Sequence, residues 1–129
     1  MAQATLVENQ IEDGERLVEA LLRANFAVEA VCWIRTSEDE RWYLYIASKL
    51  VDDKGPAAAY RDIHLAMRQI PDVRIGPFEV KAIGAADSIT IDVLEFQRRY
   101  PTQVPAWFHG ARLGDVSIDE AYIYAPVRP

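Results

Sequence analysis

The amino-acid sequence predicts an α+β domain, a two-layer sandwich in which three helices pack on a mostly antiparallel sheet of about five strands, in the order α-β-β-α-β-α-β-β. Two observations carry that prediction. Apolar residues recur at helical spacing in three segments and at alternate positions in the stretches between them, and short polar turns join two pairs of the alternating stretches. Strands joined by short turns run antiparallel, and a helix with one apolar stripe hides that stripe against such a sheet. The chain of 129 residues has the size of one domain and should bury roughly two thirds of its unfolded surface, so residues 1–129 are read as a single domain.

From Thr5 to Ala24, Val7, Ile11, Val18, Leu21 and Leu22 form an apolar stripe, with Glu8, Glu12, Glu15, Glu19 and Arg23 elsewhere, which describes a surface helix. Gly14 within it is worth about 1 kcal/mol less than alanine in a helix, which points to a kink or a close contact there. Asn25 suits the left-handed residue that ends a helix. The period then becomes two across a hairpin at about 27–49, in which the loop Thr36–Glu40 joins Ala30–Arg35 to Arg41–Lys49. A five-residue turn sets Trp33 opposite Tyr43, Val31 opposite Tyr45 and Cys32 opposite Leu44.

Val51–Gly55 reads as a polar connector, and Pro56 opens a second helix whose stripe is Tyr60, Ile63, Met67 and Ile70, stopped by Pro71. Phe78–Ile83 follows as a strand. In Asp87–Tyr100, alternation at Ile89, Ile91 and Val93 competes with the helical stripe Ile89, Val93, Phe96 and Tyr100. The helix is favoured because Asp87 or Ser88 can cap it and Pro101 can end it. A second hairpin spans 106–125 with a two-residue turn at Gly114-Asp115, which pairs Trp107 with Tyr122 and His109 with Glu120.

The segments LVEALLRANFAVEAVCWIR, YIASKLVDDKGPAAAYRDI and IDEAYIY resemble a family of small bacterial α+β proteins with no assigned function. The resemblance covers most of the chain, but its segments are packing patterns and imply no activity, substrate or site residue.

A formal charge of −6 opposes non-specific attraction to phosphate backbones. Cys32 is the single cysteine, which excludes an intrachain disulfide and fits a reducing compartment, so the cytoplasm is expected. No leader pattern and no apolar run of about 20 residues is present, so no membrane span is expected. No phosphate-cradling glycine loop, nucleophile elbow or metal-ligand spacing appears, and neither metal nor cofactor is predicted.

The candidate site is a sheet face. With helices expected over Ala30, Cys32, Ile34, Leu44 and Ile46, the other side of the first hairpin should show Val31, Trp33, Tyr43 and Tyr45, edged by Glu29, Arg35, Arg41 and Lys49. In the second hairpin Trp107, Tyr122, His109 and Glu120 share a face, and Phe108, Ala121 and Ile123 face the core. Large exposed apolar patches mark association or binding surfaces, although a C-terminal segment folded over the face or the third helix packed there would cover it instead. The leading expectation is therefore a binding or interaction protein in which Trp33, Tyr43, Tyr45, Trp107 and Tyr122 hold a second copy, a protein partner or an apolar ligand, with a homodimer the most economical partner.

The alternative is an enzyme with a sheet-lined pocket, in which Glu120 orients His109 as a general base. Direct cross-strand neighbours have Cβ atoms about 4.5–5.5 Å apart, so the pair can form, although a polar cross-strand pair at a sheet surface looks the same in sequence. Single-stranded nucleic acid stacking on the aromatics is a third and weaker reading, opposed by the net charge and the acidic Glu38-Asp39-Glu40 tip. Cys32 is expected in the core and His64 at a helix boundary.

Overall fold

A computed structural model describes residues 6, 8–36, 38 and 40–127, together with their side chains except that of Ala111. The expected helix start at Thr5, its stripe residue Val7, and the loop positions Ser37 and Asp39 lie outside the described residues. The elements are α1 (Glu8–Arg23), β1 (Ala30–Thr36), β2 (Trp42–Ser48), α2 (Lys49–Lys54), α3 (Pro56–Met67), β3 (Val80–Gly84), α4 (Ser88–Arg99), β4 (Ala106–Leu113) and β5 (Val116–Ile123). The α+β class, the three long helices and the open, mostly antiparallel sheet all follow the sequence expectation. The segment read as a polar connector is the short helix α2, started by Ser48, whose hydroxyl accepts the Leu50 N–H at 3.1 Å. The predicted strand from Phe78 begins instead with a single 3₁₀ turn, Pro77–Glu79, before β3.

The strand order is β3-β2-β1-β5-β4. β1 pairs antiparallel with β2 and with β5, and β4 with β5, whereas β3 lies parallel to β2. The parallel pair needs a crossover, which α2 and α3 supply. β1 is therefore the central strand, and its residues Ala30–Arg35 are buried on both sides.

Burial on both sides has a cause: the helices divide between the two faces. Leu17 and Leu21 of α1 and Ile63 of α3 pack with Val31, Trp33, Leu44 and Ile46. Ile89 and Val93 of α4 pack with the alternate residues Ala30, Cys32 and Ile34. This differs from the expectation of helices on one face and an open sheet on the other. The aromatic surplus that suggested an open face is housed in two cores, as in sheets whose strands carry near-continuous apolar runs.

Gly14 is a close-contact position, and its neighbour is the segment after β5. A methyl on Gly14 would lie 3.2 Å from Tyr124 Cζ and inside contact distance of its hydroxyl oxygen. That hydroxyl donates to the Ile11 carbonyl at 2.8 Å and accepts from Trp33 Nε1–H at 2.9 Å, tying helix, sheet and C-terminal segment together. Buried Asp13 ties α1 to the segment after α3, accepting the Arg74 N–H at 2.8 Å and an Arg16 hydrogen bond at 3.2 Å.

Candidate functional site

The expected aromatic face separates into two. β1 and β2 pair one residue away from the expected register: Trp33 lies opposite Leu44, Cys32 opposite Tyr45 and Val31 opposite Ile46. A shift of one residue sends each side chain of a strand to the other face. Tyr43 and Tyr45 consequently lie on the α4 side, where Lys81 Nζ stands 4.4 Å from the Tyr43 ring centroid and 5.9 Å from that of Tyr45. Trp33, Tyr122 and Trp107 stay together on the α1 side and are joined there by Trp42.

Little of that second group is open. Trp33 is fully enclosed, and Trp42 and Tyr122 are buried, whereas Trp107 on the edge strand β4 is 47% exposed. Its ring meets Tyr122 edge-on at 5.0 Å and Trp42 at 6.1 Å. The five expected binding residues thus form no common platform for a ligand or for stacked bases.

The second hairpin has the expected register, with Trp107 opposite Tyr122 and His109 opposite Glu120. A two-residue turn sets that register locally. His109 Nδ1 lies 3.5 Å from Glu120 Oε2. The carboxylate has a second and closer partner, however: its other oxygen is held by Arg35 Nη2, and Asp119 stands 3.4 Å from Arg35 Nη1. Arg35 is buried, and its guanidinium also lies 6.0 Å from the Trp42 ring. Glu120 is therefore the counter-ion of a buried arginine, while the His109 side chain is 72% exposed at the sheet edge. An imidazole so exposed has no enclosing walls to hold a substrate against it.

Cys32 lies in the α4-side core, and burial pushes its thiol up to about 12, which keeps it protonated and unreactive at neutral pH. His64 sits beside Tyr60 at 6.0 Å between ring centroids, with Nε2 3.3 Å from the Pro77 carbonyl. Among the described residues no group of three or more His, Cys, Asp or Glu is placed to hold a metal ion, and no helix is long and apolar enough to cross a membrane.

A concave, mostly apolar site lies elsewhere, between α4 and the β4–β5 hairpin. Asp87 caps α4 by accepting the Ile89 N–H at 2.9 Å. Asp92 accepts the Gly114 N–H at 2.6 Å, pinning the hairpin turn to the helix, and at the other end Gln97 donates to the Tyr124 carbonyl at 2.8 Å. Held at both ends, helix and hairpin leave a groove of about 260 Å³ between them. Its apolar lining includes Phe96, Tyr100, Phe108, Leu113 and Ile123, and its polar lining is Asp92, Glu95, Arg99 and Arg112. Phe96 meets Phe108 edge-on at 4.8 Å, and the Tyr100 ring lies tilted against it at 5.1 Å. Hydrogen bonds from Arg98, reinforced by Arg99, hold the Glu95 carboxyl below its ordinary range, so it is ionised.

Sequence reading assigned Phe96 and Tyr100 to a packing stripe and Phe108 to the core, and so missed this groove. The available signal was the aromatic character of the stripe's last turn, where Phe96 and Tyr100 stand four residues apart. Comparison with protein-family models, with curated proteins and with solved structures gives no match to this chain.

Proposed function

We propose that this is a small binding protein that holds an apolar ligand in the groove between α4 and the β4–β5 hairpin. The observation that carries the reading is a concave aromatic floor rimmed by a few charged side chains, the usual composition of a small-molecule site. Its volume of about 260 Å³ falls just under the roughly 300–1,000 Å³ of pockets for drug-sized ligands, which favours a smaller guest. A titration of the methyl-labelled protein with benzene and cyclohexane tests it. Saturable shifts at Leu113 and Ile123, with Leu17 and Leu44 across the sheet unmoved, are the expected result. No saturable shift, or shifts spread over both cores, refutes it.

A second reading is self-association at the β4 edge, favoured by Trp107 standing exposed on a strand that, among the described residues, has a neighbour on one side only. Light scattering coupled to size exclusion should then give a dimer mass that Trp107→Glu reduces to a monomer. A monomer mass for the parent at all concentrations removes this reading.

A further inference from the structure

Resting on the reading of the α4–β4 groove as a ligand site, we infer that its guest is a small aromatic carboxylate, one or two fused rings bearing a single anionic group. The ring preference comes from the walls. Phe96, Tyr100 and Phe108 gather three aromatic side chains in one groove, with Phe108 turned 83° to Phe96. Rings attract further rings through edge-to-face and offset contacts that a saturated chain cannot make. The size match comes from the volume: an apolar cavity of about 150 Å³ holds benzene, so about 260 Å³ admits a second fused ring.

The charge preference comes from the mouth. Glu95 is shared by two guanidiniums, Arg98 Nη2 at 2.6 Å and Arg99 Nε at 2.8 Å. Asp92 is engaged by the Gly114 N–H. Arg112 reaches only the Asp115 carbonyl, at 3.4 Å, and makes no ion pair among the described residues. Of the two guanidiniums that line the groove, Arg99 is thus paired with Glu95, while Arg112 has no carboxylate partner among the described residues and is the group able to receive an anion. A planar carboxylate matches the guanidinium fork, and such charge-assisted bonds orient the ring it carries.

The test is calorimetric titration of the full chain with 2-naphthoate, benzoate, 2-naphthalenemethanol and octanoate, with the site located by methyl and aromatic shifts. 2-Naphthoate should bind best, about tenfold tighter than octanoate and about fivefold tighter than the neutral alcohol. Arg99→Gln combined with Arg112→Gln, both at exposed positions, should erase the preference for the acid over the alcohol. Octanoate binding as well as 2-naphthoate at Leu113 and Ile123 overturns the aromatic assignment while the groove remains a ligand site. The alcohol matching the acid overturns the anionic assignment in the same way. No probe shifting Leu113, Ile123 or Phe108 overturns both this inference and the groove reading beneath it.

Discussion

Gly14→Ala is a substitution whose ordinary sign the structure reverses. In an open helix interior the change gains about 1 kcal/mol. Here the added methyl would meet the Tyr124 hydroxyl oxygen inside contact distance and lie 3.4 Å from Trp33 Nε1. Tyr124 is not free to step aside, because its hydroxyl is held by the Ile11 carbonyl and by Trp33 Nε1–H. If the phenol moves, buried polar groups lose partners at about 1–3 kcal/mol each; if it stays, overpacking costs about 1–3 kcal/mol. These are alternative relaxations, so with the helix gain of about 1 kcal/mol subtracted Gly14→Ala should destabilise by up to about 2 kcal/mol. Tyr124→Phe removes the clashing oxygen at its own cost of about 1–3 kcal/mol, and in that background Gly14→Ala should be close to neutral. Urea unfolding of the four proteins measures the cycle. A Gly14→Ala protein about 1 kcal/mol more stable than its parent, the full open-helix gain, or an effect unchanged by Tyr124→Phe, refutes the reasoning.

Two further outcomes follow from the charged and titrating groups. Glu120→Ala should destabilise by about 1–3 kcal/mol because it removes the closest carboxylate from a buried guanidinium, whereas His109→Ala at the exposed edge should stay within about 0.5 kcal/mol; equal effects in chemical denaturation would contradict the assignment of Glu120 to Arg35. Burial raises the Cys32 thiol to about 12, above an unfolded value of about 8.5, so its contribution is fully present below that pH and is lost as pH rises from there toward 12. Cys32→Ala should therefore flatten the fall in stability between about pH 9 and 11, and thiol reagents should label the native parent only at its unfolding rate; fast labelling at neutral pH would contradict the buried position. The raised Tyr124 hydroxyl adds a similar alkaline loss, which Tyr124→Phe should remove.

Much of the fold was legible locally. The turn at Gly114-Asp115 has one favourable hairpin geometry, so sequence alone determined the Trp107–Tyr122 and His109–Glu120 pairs. Asp87 and Pro101 marked the ends of a helix whose period was ambiguous, and the stripe on Ile89 and Val93 is the one that packs. The longer loop after Thr36 carries no such geometry, and a register differing by one residue could be resolved only by which face each helix covers. That choice is non-local: α1 and α3 claim Trp33, Leu44 and Ile46, α4 claims Cys32, Ile34 and Tyr45, and no short-range pattern states that the helices lie on opposite sides. Tertiary structure alone therefore decided that Tyr43 and Tyr45 part from Trp33, that Glu120 serves Arg35 before His109, and that Phe96, Tyr100 and Phe108 meet in a groove. Each outcome depends on which side of the sheet buries a helix or on strands far apart in sequence coming side by side, as Arg35 and Glu120 do.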